Sequence, residues 1–120
     1  MDFEQIANLI SGIDDPVLRL ETVMDLGRNL LPVPDDAECT EITGCSSRVQ
    51  ICRRGNEFYG VADSALVRGI VAIIISMVNG RSPAQIRNMP LQQMIDSLEI
   101  NVGAARINGI NSIIRFLQNL

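Results

Sequence analysis

Residues 48–62 constrain the fold most, because they carry the clearest β-hairpin pattern in the chain. Apolar side chains alternate with others over residues 48–53, which is the period of a strand with one face toward a core. Residues 54–56, an Arg-Gly-Asn sequence, suit a turn, and the chain then returns over residues 57–62. The pattern predicts an antiparallel hairpin, and a further short strand is predicted around residues 41–43.

Helical signals surround this hairpin on both sides. The pairs Asp15-Pro16 and Ser82-Pro83 each place a capping residue before a proline at the first helical position. In the last helix, Ile107 is expected to share a buried face with later isoleucines. Helices are predicted over about 3–11, 16–30, 64–78, 83–87, 91–98 and 104–119. The order indicates an α+β fold, in which helices cover a small antiparallel sheet of about three strands.

Composition narrows the possible functions. The chain has 120 residues, which suits a single domain over 1–120. It has no histidine, so it lacks the commonest general base and metal ligand. Its net charge of -4 and its 3% aromatic content argue against a nucleic-acid partner. The most apolar run is too short to cross a membrane, and a protein partner is expected.

The three cysteines, Cys39, Cys45 and Cys52, supply the candidate chemistry. Cys45 follows Gly44 in a loop of small residues, where a thiol can be exposed and reactive or packed as a small apolar group. No secretory signal is evident, so a reducing cytoplasm is expected. Cys39 and Cys52 are expected to pair only if the fold brings them within disulfide geometry, and in that compartment such a pair is not expected to matter. Cys52 is expected to be part of the core.

Four segments together resemble the SufE family of sulfur-acceptor proteins. These are MDLGRNLLPVP from Met24, GCSSRVQI from Gly44, GVADSALVRGIVAIIISMVNGRSPAQI from Gly60 and ARINGINSII from Ala105. They occur in the family's order and at compatible spacing, across most of the chain. The resemblance implies a SufE/IscU-like fold.

The same resemblance implies a function in iron–sulfur cluster assembly. Cys45 is then expected to take sulfur as a persulfide from a cysteine desulfurase of the SufS kind. It would pass that sulfur to a cluster scaffold of the SufBCD kind. The chain is expected to hold no cofactor of its own, since pyridoxal phosphate belongs to the desulfurase. It is expected to act as an accessory protein that stimulates the desulfurase, with no membrane contact.

The family motifs also imply a set of residues around the thiol. The motifs place Arg68 and Arg106 near the Cys45 loop, and Arg48 is expected there because it is near in sequence. The charges of these arginines would favour the thiolate that attacks sulfur. Asp63 is expected to hold one of these arginines or to cap the following helix. The alternative is a purely structural role for these residues: Asp63 would cap a helix, and the arginines would be solvated or ion-paired at the surface.

The chain departs from the family pattern at two positions. Ser46 stands where the family usually has Gln, and Gln50 where it has Trp. These changes affect how Cys45 is sheltered and which desulfurase is recognised. Two other functions stay open: an IscU-like metal or cluster scaffold, built on three cysteines with Asp63, and an adaptor of the same fold without sulfur chemistry.

Overall fold

A three-stranded antiparallel sheet, in the order β1-β2-β3, joins the two helical parts of the chain in a computed structural model that describes residues 1–120. The strands are β1 (Glu38–Glu41), β2 (Val49–Arg54) and β3 (Glu57–Ala62). The helices are α1 (Phe3–Ser11), α2 (Pro16–Leu26), α3 (Ala65–Val78), α4 (Pro83–Arg87), α5 (Leu91–Asp96) and α6 (Ala104–Gln118), and a 3₁₀ turn (Gly27–Asn29) follows α2. The predicted α+β class is confirmed.

Helix α3 forms the centre of the core. Its β-branched run would suit a strand, but the Ser64 hydroxyl accepts a hydrogen bond from the Val67 N–H at 3.2 Å and caps a helix. Six apolar side chains of α3 are buried, and burying each one contributes about 1.5–3 kcal/mol: Ile70, Val71, Ile73, Ile74, Met77 and Val78. No helix in the chain combines the length and apolar character that crossing a bilayer requires.

Two glycines, one in α3 and one in β3, allow α3 to pack closely against α2 and against β3. A Cβ on Gly69 of α3 would overlap the carbonyl oxygen of Val23 in α2. A Cβ on Gly60 of β3 would overlap the Val71 side chain of α3. Because close packing leaves no space for these carbons, α2, α3 and β3 form a tightly fitted frame.

Strand β1 forms earlier in the chain than the sequence predicts. The predicted strand over 41–43 is wrong, since β1 covers Glu38–Glu41. The Ile42 N–H still donates to the Val49 carbonyl at 2.9 Å, but Gly44 takes a φ of +88° and turns the chain away from the sheet. The residues that follow Ile42 therefore form the Cys45 loop.

Cys39 and Cys52 are joined by a disulfide, because the fold meets the condition of disulfide geometry. They are direct cross-strand neighbours in β1 and β2, with Cα atoms 4.0 Å apart. Such a pair brings the two Cβ atoms close enough for their sulfur atoms to bond. Cys52 is buried, as expected, whereas Cys39 is exposed.

Two details of the last helices also differ from expectation. Helix α5 ends at Asp96 instead of 98, and Glu99 takes a positive φ of 52° where the chain leaves it. Ile107 is 48% exposed, because the core under α6 begins at Gly109 and Ile110. The first turn of α6 therefore projects beyond the buried part of the sheet and helices.

Candidate functional site

Cys45 lies in the loop between β1 and β2 and is the one free cysteine of the chain. The loop rests on α6 at Gly44, where a Cβ would lie 2.7 Å from the Ser112 Oγ. Glycine is required there by both the positive φ and this contact. The loop thus brings a half-buried thiol against the last helix.

The backbone of α6 at Gly109 forms the surface on which the thiol lies. The Cys45 Sγ donates a hydrogen bond to the Gly109 carbonyl oxygen over 3.8 Å. A Cβ on Gly109 would lie only 3.2 Å from this sulfur and 3.6 Å from the Cys45 Cα. Glycine in the middle of a helix costs about 1 kcal/mol relative to alanine. Here it makes room for the sulfur.

A small apolar cavity adjoins the thiol. Its volume is about 20 Å³, and its lining includes Val67, Ile70, Ala105, Ile110 and Ile113. A space of this size holds about one water-sized group. Its walls offer almost no polar partner to a water molecule, so the cavity suits one additional apolar atom next to Sγ.

Burial raises the pKa of the Cys45 thiol above its ordinary value, and the negative charge of Glu41 raises it further. The hydrogen bond to the Gly109 carbonyl acts in the same direction, because only the protonated thiol can donate it. In this conformation Cys45 is therefore a protected thiol and a poor nucleophile.

Arg48 lies at the other end of the loop and pairs with Glu41. Its Nε is 3.6 Å from the Glu41 Oε2, and both side chains are at least half exposed. Water screens an exposed pair of this kind strongly. Arg48 therefore lies close to the loop, as expected, but it contacts the carboxylate and makes no hydrogen bond to the sulfur.

Comparisons with known proteins identify the family of this chain. A family profile described as "SufE: Fe-S metabolism associated domain" matches residues 4–120. This chain belongs to the SufE family.

Two SufE-type relatives illustrate the similarity. An uncharacterized SufE-like protein of Rhizobium meliloti is 25% identical over 97% of this chain and 91% of its own length. The sulfur acceptor protein CsdE of Escherichia coli is 29% identical over 73% of this chain and 66% of its own length. Both relatives extend the SufE similarity over most of the fold described above.

A solved structure has the same fold as this chain. The solution structure of a hypothetical protein from Thermus thermophilus has a TM-score of 0.75 to this chain, at 16% sequence identity. It covers 98% of this chain and 90% of the other. At that identity the likeness concerns the fold alone.

The other residues implied by the SufE motifs occupy different places. Arg106 lines the small cavity, and its Nη1 donates to the Val102 carbonyl at 3.0 Å. Arg68 donates from Nε to the Ala62 carbonyl at 3.0 Å and faces a separate cleft beside α2. The fold thus brings Arg48 and Arg106 to the Cys45 loop and directs Arg68 elsewhere.

Asp63 does not make the contacts expected of it. It is exposed, and it forms neither a hydrogen bond nor an ion pair with an arginine. Ser64, one residue later, caps α3 instead. A serine in the cap position leaves the preceding carboxylate free to face solvent.

The alternative function as a metal or cluster scaffold requires a set of ligands, and the fold does not bring such a set together. Cys39 and Cys52 bond to each other, so their sulfurs are not available alongside Cys45. No three carboxylate or thiol side chains gather into a possible metal site. This arrangement does not favour the scaffold alternative.

Sequence reasoning missed two residues that shape the SufE-type site. Gly109 falls within a family motif, but the sequence does not identify it as the floor under Cys45, although an interior helix glycine is a signal of close packing. Glu41 is predicted only as part of a strand. Its effect on the thiol depends on the β1–β2 pairing, which places it opposite Gln50 at the start of the loop.

Proposed function

We propose that this chain is a sulfur acceptor for a cysteine desulfurase, and that it carries the sulfur as a persulfide on Cys45. The observation that carries the proposal is the free Cys45 thiol packed on Gly109 beside a one-atom apolar cavity. Membership of the SufE family and similarity to the acceptor CsdE support the same role.

The transfer needs no external oxidant. The Cys45 thiolate attacks the terminal sulfur of a persulfide on the desulfurase, and a new S–S bond forms as the donor's S–S bond breaks. The desulfurase cysteine leaves as a thiolate, and the transferred sulfur keeps its oxidation level. A thiolate on a scaffold protein for iron–sulfur clusters would then repeat the exchange with Cys45 as the leaving group.

The site favours storage over reaction while the loop rests on α6. Three features keep the thiol protonated: its burial, the Glu41 charge and the Gly109 carbonyl. A persulfide on Cys45 would place its outer sulfur in the apolar cavity, away from thiols in solution. For reaction, the loop must leave α6, and docking on the desulfurase would supply the environment in which the thiolate forms.

Arg48 and Arg106 are the cations that we propose assist that step. Arg48 is already at the loop, where its pairing with Glu41 offsets the carboxylate's charge. Arg106 lines the cavity from the first turn of α6. Arg68 and Asp63 would contribute to docking instead, since neither contacts the Cys45 loop in this fold.

The proposed role requires no cofactor in this chain. Sulfur leaves its carbon on the desulfurase, and this chain contributes only a thiol and a surface. We place the reaction in a reducing compartment such as the cytoplasm, because Cys45 must remain a free thiol to accept sulfur.

Intact mass spectrometry after incubation with a cysteine desulfurase and cysteine tests the proposal. The wild-type chain should gain the mass of one sulfur atom, and Cys45→Ser should gain none. A Cys39→Ala/Cys52→Ala variant is the matched control, because it keeps Cys45 as its only cysteine and should still gain sulfur. Sulfur on Cys39 or Cys52, or no sulfur on the wild type with any desulfurase, would contradict the proposal.

A further inference from the structure

The two edges of the sheet differ in whether they are covered. On β3, the Phe58 N–H donates to the Asn79 Oδ1 at 3.0 Å, and the Ala62 carbonyl accepts from the Arg68 Nε at 3.0 Å. The backbone groups that face outward at both ends of β3 are therefore hydrogen-bonded to side chains, one from α3 and one from the residue that follows it. Strand β1, at the other edge, has no such cover.

The backbone of β1 presents unpaired groups at this edge. Because the Ile42 N–H bonds to the Val49 carbonyl, the pairing alternates so that Thr40 bonds to β2 while Cys39 and Glu41 face away. The outward N–H and C=O groups of Cys39 and Glu41 make no hydrogen bond with any other part of the chain. All four residues of β1 are exposed.

An open groove runs beside this edge. Thr40 and Glu41 lie on one wall, and Ser112 and Phe116 of α6 lie on the other with Asn119, which follows the helix, around a volume of about 420 Å³. Adjacent strands are about 4.8 Å apart, so an extended chain can lie in the groove and still bond to β1. Backbone pairing with β2 along Glu38–Glu41 holds β1 in place as a template.

The negative charge at the β1 edge indicates what kind of chain would bind in the groove. Strand β1 carries two carboxylates, Glu38 and Glu41, and no basic residue, and Asp35 and Asp36 precede it. Arg48 pairs with Glu41 and Arg54 pairs with Asp36, so Asp35 and Glu38 remain as the unpaired negative charges of this edge. A second copy pairing through β1 would bring a second set of the same carboxylates to this edge, and like charges repel. A basic segment would instead be attracted to this edge. Arg115 lies on the α6 wall, so basic side chains would orient toward β1.

We propose that the desulfurase partner adds an extended, basic segment to the free edge of β1 as a fourth strand, with backbone hydrogen bonds to Cys39 and Glu41. This inference rests on the proposed function, because it identifies how the proposed partner docks. The Cys45 loop begins immediately after Glu41. Strand addition would therefore hold one end of the loop while the thiol moves from α6 into the partner.

Two substitutions at one position separate the backbone contact from the charge. Glu41→Pro removes the outward N–H without touching the bonds from β1 to β2, and proline is tolerated on an edge strand. Glu41→Gln is the matched control, since it removes the same charge but keeps the N–H. Titration calorimetry would use the desulfurase that loads Cys45 of the wild type. Binding of Glu41→Pro should be at least about ten-fold weaker than that of Glu41→Gln.

Amide hydrogen exchange of the wild type gives a second measurement that does not depend on a variant folding. The Cys39 and Glu41 amides should exchange freely in the isolated chain and become protected in the complex. Equal affinity of the two variants, or unchanged exchange at both amides, would overturn strand addition while leaving sulfur transfer intact. If no desulfurase loads wild-type Cys45, the proposed function itself fails, and the docking inference falls with it.

Discussion

Cys45 donates its thiol hydrogen bond to the carbonyl oxygen of Gly109, so helix backbone, not a side chain, holds the one free thiol of the chain. A carbonyl can only accept a hydrogen bond, and it therefore favours the protonated sulfur. Sheltering and activation of the thiol are consequently two different states of the loop. The predictions below separate the contributions to the sheltered state.

Gly109→Ala should make Cys45 more reactive. The new Cβ would lie 3.2 Å from the sulfur, which is too close, so the loop must shift away from α6. The rate of alkylation by iodoacetamide should rise several-fold, and a Cys45 persulfide should be lost faster to added thiol. Asn108→Ala, at an exposed neighbouring position, is the matched control for helix propensity. If Gly109→Ala reacts no faster than this control, the glycine does not shape the resting site.

The alkylation of Cys45 should require a higher pH in the native chain than in the chain unfolded in urea. Burial and Glu41 raise the thiol's pKa in the folded state. A raised pKa in the folded state also affects the free energy of unfolding. The Cys45 thiol contributes stability below the pKa that it has in the unfolded chain, and this contribution is lost as the pH rises through its pKa in the folded chain. Rates measured against pH without reductant, so that Cys39 and Cys52 stay linked, report on Cys45 alone.

Glu41→Gln should move the native alkylation profile toward lower pH, because one of the two causes of the shift is removed. Glu38→Gln is the control, since Glu38 is an exposed carboxylate on the same strand and is not among the causes. An equal shift in both variants would mean that general surface charge, not the position of Glu41, sets the reactivity of the thiol.

Reduction of the Cys39–Cys52 disulfide should lower the free energy of unfolding. The two residues are 13 positions apart, and closing a loop of this length stabilises a chain by about 3 kcal/mol in the chain-entropy description. Urea unfolding with and without a phosphine reductant measures the loss. A Cys39→Ala/Cys52→Ala variant should be insensitive to the reductant. A wild type that is equally insensitive would show that the disulfide does not form in solution.

Gly44→Ala should destabilise the chain by two separable effects. The positive φ costs about 1–2 kcal/mol for a residue with a Cβ. The contact with the Ser112 Oγ, at 2.7 Å from the new carbon, adds to this cost. Combining the change with Ser112→Ala should recover only the second part, as urea unfolding of both single variants and the double variant would reveal. Full recovery, or none, would contradict this division.

Sequence reasoning predicted those parts of the fold that depend on local signals. Caps such as Ser82 and the proline after it placed α4 at its observed position, and the alternation after Arg48 placed β2 and β3. The β1 strand was misplaced because four exposed residues carry no alternation of burial. Its position depends on pairing with β2, which is not a local property.

The candidate site was predictable to the same extent. Cys45 was proposed from its loop, Arg48 from its nearness in sequence and Arg106 from a family motif. The direction in which the thiol's pKa shifts was not predicted, because the expectation considered only the arginines that lie near Cys45 in sequence or in motifs. The fold brings a carboxylate and a backbone carbonyl to the sulfur's surroundings and bonds Arg68 to the end of β3. Only the three-dimensional arrangement gives that balance.

The absence of space at Gly69 limits how this chain can move. With the Val23 carbonyl of α2 directly against that glycine, the two helices cannot slide past one another to follow the loop. This pair of helices therefore stays fixed, and in the proposed transfer the loop would leave α6 by a hinge motion near Ile42 and Val49. A loaded and an unloaded molecule should then superimpose in α2 and α3 and differ along the loop, so a protein that receives the sulfur would meet the same rigid pair of helices in both states.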